Sequence, residues 1–261
     1  MRRFRIFALL LALTTGIGLQ AQPAVSRIER IDTLGLIVLY PTHTSVELVC
    51  GRRPSRDDKS VLLMAEAAYT RVKPLRKRFS HRNIHGIHVS RGKRYNGTPF
   101  DRKTGAFVWY KEHYQFLQLS TVDTATRAVT RLPDYNKRCS IFNTAARHGG
   151  MGFMQELIIH DSVVLPTVRQ AHEMHQYRAL CSHNGRLCIA ESDTVVSFGA
   201  FKQLLHAYGM SEALYLDMGG GWNYAWYRDG DDIVELNPEA YYSQFCTNWI
   251  VFRRKKLKSK N

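Results

Sequence analysis

Alternating apolar and polar positions mark the clearest local structure of the chain, over residues 178–191. Two alternating runs flank Asn184-Gly185, the preferred two-residue turn of a tight β-hairpin. If the strands turn there, Arg178 lies opposite Glu191. Successive side chains of a strand point to opposite faces, so these two charged residues share a face with apolar neighbours. The pattern therefore predicts a hairpin with a defined register.

A helix and a short strand are predicted downstream of this hairpin. Ser197 can cap a helix, and Gly209 can end it. Between them, apolar residues recur at helical spacing: Phe198, Phe201, Leu204, Leu205 and Tyr208. The apolar residues 213–216 then predict a strand that leads into Asp217 and a run of glycines. An acid followed by glycines at the end of a buried strand indicates a binding site, because glycine lets a ligand approach the backbone.

The other predicted elements are mostly strands. The strand candidates cover residues 34–40, 45–50, 105–110, 114–120 and 156–164. Residues 61–69 are apolar and rich in helix formers, so their propensity predicts a helix, although a short apolar run also suits a buried strand. Together these elements predict an α+β fold, in which a mixed β-sheet carries a few flanking helices.

The positive charge of the chain is concentrated in three segments. The 261 residues include 37 Lys and Arg against 22 Asp and Glu, which gives a net charge of +15. Three cations lie within the first five residues and six within residues 253–261, while residues 67–100 hold nine cations and no acid. This basicity indicates an anionic partner, and does not by itself select among nucleic acid, phosphorylated glycans and lipid headgroups.

The N-terminus is typical of a secretory signal. Arg2, Arg3 and Arg5 precede an apolar run, and Ala21 is a small residue at a suitable cleavage point. That run is shorter than the roughly 20 residues of a membrane-spanning helix, and no later stretch is long and apolar enough to span. We therefore predict a signal peptide at residues 1–21 and an exported protein, periplasmic or extracellular, with no transmembrane helix after cleavage. Because an exported protein rarely meets nucleic acid, we expect no nucleic-acid partner.

The cysteines leave two interpretations open. The chain has five of them, Cys50, Cys139, Cys181, Cys188 and Cys246, so at least one stays free. Export permits disulfides, and the predicted hairpin places Cys181 opposite Cys188 within disulfide range. The alternative is that these residues are buried apolar thiols.

The segment "YRALCSHNGRLCIAESDTVVSFGAFKQLLHAYGMSEALYLDMGGGW" resembles the phosphodiester glycosidase family. The family pattern has an Arg that opens a hairpin, then a helix, then a strand that ends in Leu-Asp-Gly-Gly-Gly-Ser. Here the Arg is Arg178, and the strand end is Leu216-Asp217-Met218-Gly219-Gly220-Gly221-Trp222. The resemblance implies a single domain over residues 58–252, with an N-terminal extension at 22–57 and a basic tail at 253–261. It also implies an exported hydrolase that cleaves a sugar-1-phosphodiester of a glycan or cell-envelope polymer.

A fainter resemblance lies upstream, in "LLMAEAAYT" followed by "HVSRGKRYNG", where Glu66 replaces the usual Asn of the family. It implies a strand at residues 61–68, which we adopt over the helix that propensity predicts. The sequence departs from the family pattern at three further positions. Met218 replaces the first glycine, and Gly221 and Trp222 stand where the family has serines. These departures allow either another substrate or a lost activity, so the alternative function is a non-catalytic protein that binds anionic glycans.

Asp217 and Glu66 are the candidate catalytic residues. Glycoside hydrolysis uses two carboxyl groups, one that protonates the leaving oxygen and one that attacks or activates water. A lone carboxylate in an apolar run such as that around Glu66 is costly unless it is paired or catalytic. The structural alternatives are that Asp217 only caps the glycine turn and that Glu66 lies on an exposed helix face.

The candidate substrate-binding residues are Arg178, His88, Gly219, Gly220, Gly221 and Trp222. Arg178 offers a planar bidentate donor to a phosphodiester, and a pair with Glu191 is its structural alternative. His88 is proposed as a phosphate donor or general acid. The spacing of His81, His85 and His88 would suit a metal on a helix, but Gly86 makes a helix there doubtful, so we expect no metal and no cofactor.

Overall fold

The computed structural model describes residues 25–70, 79–99, 102–218 and 223–255. The predicted signal peptide, Gly219, Gly220, Gly221 and Trp222, and the last six residues lie outside this part of the chain. Its strands are β1 Arg27–Thr33, β2 Leu36–Thr42, β3 Thr44–Cys50, β4 Val61–Glu66, β5 Ile87–Ser90, β6 Lys93–Asn96, β7 Gly105–Tyr110, β8 His113–Gln118, β9 Ser120–Val122, β10 Val129–Arg131, β11 Met151–Gln155, β12 Leu157–His160, β13 Val163–Val164, β14 Met174–His175, β15 Arg178–His183, β16 Arg186–Ser192, β17 Val196–Ser197, β18 Glu212–Tyr215, β19 Ala225–Asp229, β20 Asp232–Asn237 and β21 Asn248–Arg254.

Three α-helices and two short 3-10 helices complete the described elements. The α-helices are α1 Tyr135–Cys139, α2 Ile141–Arg147 and α3 Phe198–Ala207, and the 3-10 helices are His81–Asn83 and Tyr241–Phe245. Strands greatly outnumber helices, and the predicted α+β class with a few flanking helices is confirmed.

Three antiparallel sheets form the body. Sheet I has seven strands in the order β1-β2-β16-β15-β18-β12-β13, sheet II has the order β6-β5-β11-β7-β8, and sheet III has the order β20-β19-β4-β21-β3. Their inner faces meet in one central apolar core, to which sheet I contributes Leu180, sheet II Phe153 and sheet III Leu63. One shared core makes the three sheets a single packed unit.

The predicted hairpin is β15–β16 at the centre of sheet I. Asn184 and Gly185 have φ angles of 50° and 71°, which are the two positive values of a type I′ turn. The strands pair Arg178 with Glu191, as predicted. Leu180 and Ile189 on the same face enter the central core. The register that the turn predicted is confirmed.

The opposite face of β15–β16 carries Cys181 and Cys188, which pair across the hairpin in an apolar layer under α3. All five cysteines are free thiols, four of them buried and Cys50 partly buried. The four buried thiols agree with the interpretation as buried apolar thiols, and Cys50 departs from it.

Helix α3 is built as the sequence predicts. The Ser197 side chain accepts a hydrogen bond from the Ala200 N–H at 3.1 Å, and Gly209 leaves the helix with a φ of +90°. Its apolar stripe covers the outer face of sheet I through Phe198, Phe201 and Leu205. Helix α2 covers the outer face of sheet II in the same way.

One local prediction is confirmed and two are corrected. The strand that the family resemblance implies at residues 61–68 is present as β4 over residues 61–66, against the helix that propensity predicts, because β4 is hydrogen-bonded to β19 on one side and to β21 on the other. The strand predicted at 34–40 starts only at Leu36, since Leu34 and Gly35 form a turn with positive φ. The strand predicted at 156–164 is divided into β12 and β13 by a turn with positive φ at its centre.

The basic C-terminal segment begins inside the fold. Arg253 and Arg254 are the last residues of β21, and the Arg253 guanidinium forms ion pairs with Glu47 and, at 2.6 Å, with Asp58. In the described part of the chain, no helix has both the length and the apolar character that crossing a membrane requires.

Candidate functional site

Glu66 is the last residue of β4 and is buried in sheet III. It lies opposite Trp249 of β21, and its side chain has no exposed surface. The Ser243 hydroxyl and the Cys246 thiol lie nearby and favour the charged form of Glu66, but neither carboxyl oxygen has a hydrogen bond of regular geometry to a described residue. The alternative of an exposed helix face is therefore wrong.

Asp217 reaches the same place from sheet I, two residues after the end of β18. Its backbone N–H donates to the Ala67 carbonyl at 2.9 Å, which ties the end of β18 to the residue after Glu66. The Thr70 N–H donates to Asp217 Oδ2 at 3.2 Å. Asp217 is 4% exposed. Two strands from different sheets thus end side by side with one carboxyl group each.

The environment of Glu66 favours its protonated form. Burial raises the pKa of Glu66 well above its usual range, and the nearby charge of Asp217 raises it further. Arg178 acts in the opposite direction and does not offset burial. Glu66 is therefore a carboxylic acid that keeps its proton at pH values where exposed glutamates have lost theirs.

Arg178 is a buried cation at the start of β15. Its Nε and Nη2 atoms donate to Glu191 Oε2 at 2.7 and 2.6 Å, and Nη2 also donates to the Asn223 carbonyl at 2.9 Å. The Asn237 side-chain amide donates to the other Glu191 oxygen. Arg178 Nη1 is buried and has no partner among the described residues. The predicted pair with Glu191 exists, and it holds the guanidinium with one nitrogen still unused.

Residues that the sequence analysis missed surround Asp217. The Tyr215 hydroxyl accepts a hydrogen bond from the Met218 N–H at 3.1 Å, and burial raises the pKa of both Tyr215 and Tyr69. The Arg169 guanidinium lies 4.9 Å from the centre of the Tyr215 ring and donates to the Tyr69 hydroxyl at 3.4 Å. Tyr215 ends β18 two positions before Asp217, and strand alternation puts such positions on one face, so Tyr215 could have been predicted from the sequence. Nothing in the sequence pointed to Arg169.

Asn248 fixes the backbone just after Glu66. Its Oδ1 accepts from the Ala68 N–H at 2.8 Å, and its Nδ2 donates to the Ala68 carbonyl at 2.9 Å and to the Thr70 hydroxyl at 3.1 Å. This pairing imitates one more step of the β4–β21 ladder. It holds the Thr70 N–H where it meets Asp217.

His88 lies on a different sheet from the two carboxyl groups. It is in β5 of sheet II, fully buried, and contacts His81 and the Gly86 carbonyl. Burial lowers the pKa of His88 to about 4. The structure therefore places His88 on sheet II beside His81, whereas Glu66 ends a strand of sheet III and Asp217 follows a strand of sheet I.

A cationic cavity lies elsewhere on the surface, between the ends of sheet II and the β9–β10 ribbon. Its volume is about 550 Å³, and Lys103, Arg127 and Arg131 line it together with polar and apolar groups. Tyr135 forms part of its wall. Glu66 and Asp217 do not line this cavity, which is therefore separate from the two carboxyl groups.

Comparison with known proteins shows the fold. No protein-family model and no curated protein matches the chain. The solved structure of a hypothetical protein from Synechocystis is similar with a TM-score of 0.54 at 14% identity over 87% of this chain, and the chain spans 61% of that protein's length. The zebrafish N-acetylglucosamine-1-phosphodiester alpha-N-acetylglucosaminidase catalytic domain, auto-inhibited by its pro-peptide, is similar with a TM-score of 0.53 at 10% identity over 89% of this chain and 87% of the domain. At these identities the likeness is one of fold.

Proposed function

We propose that the chain is an exported hydrolase that cleaves a sugar-1-phosphodiester of a glycan or cell-envelope polymer. The observation that carries the proposal is the buried pair of Glu66 and Asp217, in which Glu66 keeps its proton. The fold that the chain shares with a zebrafish domain named for a phosphodiester glycosidase supports the choice of substrate class. We assign the activity to residues 58–252 and expect the mature chain to start near Gln22, which its intact mass would verify.

The two carboxyl groups divide the reaction between them. Glu66 gives its proton to the glycosidic oxygen as the bond from that oxygen to the anomeric carbon breaks. Asp217 attacks the anomeric carbon or takes a proton from the water that does so. Water supplies the hydroxyl of the free sugar, and the phosphate leaves as a monoester. Burial excludes bulk water, which strengthens each electrostatic interaction within the site.

Arg178 is assigned to the phosphate. A guanidinium presents N–H groups in a rigid plane that matches two oxygens of a phosphate or carboxylate. Glu191 occupies the Nε and Nη2 side of that plane, and Nη1 faces away from it without a described partner. A phosphate oxygen at Nη1 would satisfy a buried donor, which is costly to leave unpaired.

Release of free sugar from a sugar-1-phosphodiester tests the proposal. Asp217→Asn and Glu66→Gln keep the side-chain shapes, and each should lower turnover by on the order of 10²-fold or more, as the loss of a positioned acid, base or nucleophile does. Asp231→Asn and Glu112→Gln are the matched controls, since those side chains are 94% and 70% exposed. Thermal unfolding of the same preparations separates lost chemistry from lost folding. Full activity in either site variant would remove that residue from the mechanism.

A second candidate function is a non-catalytic protein that binds anionic glycans, and the cationic cavity favours it. Arg127 and Arg131 line that cavity together with Lys103. If binding is the function, a phosphorylated glycan should bind with an affinity that falls as salt rises, and Lys103→Ala with Arg131→Ala should weaken it. Binding without any release of sugar would favour this function over the hydrolase.

A further inference from the structure

Three metal-ligand side chains meet outside the carboxyl pair. Cys50 ends β3, His81 starts the 3-10 helix after residue 80, and His88 lies in β5. The Cys50 thiol sulfur and one ring nitrogen of each histidine all lie within 4.8 Å of one another. Cys50 is opposite Asn248 in β21, so this Cys-His-His cluster sits at the same end of sheet III as Glu66, two strands away.

The backbone around Cys50 is shaped to bring His81 close. Gly51 has a φ of +90°, and a Cβ atom there would lie 2.8 Å from the Phe79 ring, so Phe79 packs directly on the glycine backbone. Phe79 in turn meets the His81 ring edge to face, and the His81 ring stacks on Tyr95. A side chain at position 51 would push away the segment that carries His81.

His88 is held in the tautomer that a metal ligand needs. Its Nδ1 lies 3.2 Å from the Gly86 carbonyl, and because a carbonyl oxygen only accepts, Nδ1 carries the hydrogen. Nε2 of the neutral ring is then a lone pair, and it faces His81 Nδ1 at 2.9 Å. A histidine that ligates a metal usually donates its other N–H to a backbone carbonyl or carboxylate in this way.

We propose that Cys50, His81 and His88 form a binding site for one transition-metal ion that accepts both nitrogen and sulfur ligands, with Zn²⁺ as the reference ion. Bonds of about 2.0–2.1 Å to nitrogen and about 2.3 Å to sulfur in a tetrahedral site separate two nitrogens by roughly 3.3 Å and a nitrogen from a sulfur by roughly 3.6 Å. The two ring nitrogens therefore need to open by only a few tenths of an ångström from 2.9 Å. On binding, the ion replaces the hydrogen on His81 Nδ1, that ring carries its proton on Nε2, and the Cys50 thiol gives its proton to solvent.

The donor set selects the kind of ion and leaves one position open. Ca²⁺ and Mg²⁺ prefer oxygen ligands, whereas thiolate and imidazole suit zinc, copper and cobalt. Three protein ligands leave the fourth tetrahedral position for water or another ligand, as in catalytic zinc sites. A second group of donors, His160, Asp161 and Glu212, has no sulfur, and its Asp161 side chain is 84% exposed. A spectroscopic signal from a metal–thiolate bond therefore distinguishes the two groups of donors.

Cobalt substitution tests the site, because Co²⁺ takes the place of Zn²⁺ and reports a thiolate ligand by its sulfur-to-metal charge-transfer absorption. Metal-free, tag-free mature protein is titrated with Co²⁺, and the bound Co²⁺ is then displaced with Zn²⁺. We expect one equivalent of Co²⁺ to produce the charge-transfer band and one equivalent of Zn²⁺ to remove it. Cys50→Ser should abolish the band. His88→Gln should weaken binding by more than the roughly 10–100-fold that changes around the ligands cost.

Two matched controls fix the assignment. Cys139→Ser removes another buried thiol, in α1, and His160→Gln removes the histidine of the second donor group. Both should keep the band and the affinity. If the wild-type protein binds no Co²⁺, or binds it without the thiolate band, the proposal is overturned, and this result needs no variant to fold. A band that survives in Cys50→Ser would also overturn it.

Discussion

Glu66 and Glu191 are two fully buried glutamates near one arginine, and their surroundings differ. Both oxygens of Glu191 are occupied, one by two donors of Arg178 and the other by the Asn237 amide. The two oxygens of Glu66 have no regular hydrogen bond within the described chain, and a second acid, Asp217, lies beside it. One glutamate is enclosed by donors, and the other lies beside a second acid.

The difference shows the two ways in which a protein can bury a carboxyl group. Donors and a cation can compensate the loss of water, so that the group serves to fix a geometry. Otherwise the group keeps its proton, since burial disfavours the charged form. Burial raises the pKa of Glu191 as well, but Arg178 and Asn237 oppose that effect. Glu191 therefore orients Arg178, and Glu66 is the group with a proton to give.

The largest effect on stability is expected from Glu191→Gln. The change leaves the Arg178 guanidinium buried without its counter-charge, and breaking a buried pair by removing one partner costs about 3–5 kcal/mol. Urea unfolding at neutral pH measures the free energy. Glu29→Gln is the matched control, because it breaks the Arg186–Glu29 pair on the exposed end of the same hairpin region, where a surface pair contributes about 0–1 kcal/mol.

The outcome decides how the two glutamates are related. A loss below about 1 kcal/mol in Glu191→Gln, equal to that in Glu29→Gln, would mean that Glu191 does not hold Arg178. In that case the ion pair with Arg178 would not be what distinguishes Glu191 from Glu66.

A smaller effect, and one that depends on pH, is expected from Glu66→Gln. The raised pKa of Glu66 means that between about pH 4.5 and its folded-state pKa the unfolded chain has lost this proton while the folded chain keeps it. The unfolded state then binds fewer protons, so this group makes stability fall with rising pH, by about 1.4 kcal/mol for each pH unit in that window. Below the usual pKa of a glutamate, both states are protonated and the full contribution is present.

Glu66→Gln removes this slope, so its free energy of unfolding relative to the wild type should increase as pH rises above 4.5. Urea unfolding from pH 4 to pH 8 measures the difference, with Glu112→Gln as the exposed control. A difference that is constant over this range would show that Glu66 titrates like an exposed glutamate, and the assignment of Glu66 as the acid would fail.

Local features of the fold could be predicted from the sequence patterns, and contacts between distant segments could not. The Asn184-Gly185 turn set the register of β15–β16, and with it the Arg178–Glu191 contact, because a two-residue turn and strand alternation leave one solution. The Ser197 cap of α3 could also be predicted, because it depends only on residues within one turn of the helix. The strand at residues 61–66 could be predicted only from the family resemblance, because its composition is rich in helix formers and its partners β19 and β21 lie more than 150 residues away in the chain.

The Glu66–Asp217 pair and the Cys50-His81-His88 cluster could not be predicted from local patterns for a related reason. The Asp217 N–H meets the Ala67 carbonyl only after sheets I and III have packed together. The spacing of the histidines would have suited a metal only on a helix, which Gly86 argued against. In the structure His81 and His88 lie on different elements, and Cys50 comes from a third element. Which side chains converge is set by tertiary packing, and the family resemblance was the only sequence signal that joined Glu66 to Asp217.

The smallest effect is expected at the basic C-terminus, and it depends on where the chain is cut. Removal of residues 256–261 should leave turnover and stability unchanged and should weaken only salt-sensitive binding to anionic polymers, since exposed charges are screened beyond about 8–10 Å at physiological ionic strength. Removal of residues 253–261 should also destabilise the fold, because Arg253 belongs to β21 and pairs with Glu47 and Asp58. Turnover, urea unfolding and polymer binding at low and high salt would be measured on both truncations. Lost turnover in the shorter deletion would place the tail in the mechanism, whereas equal stability of the two truncated proteins would show that the Arg253 ion pairs contribute nothing measurable to the fold.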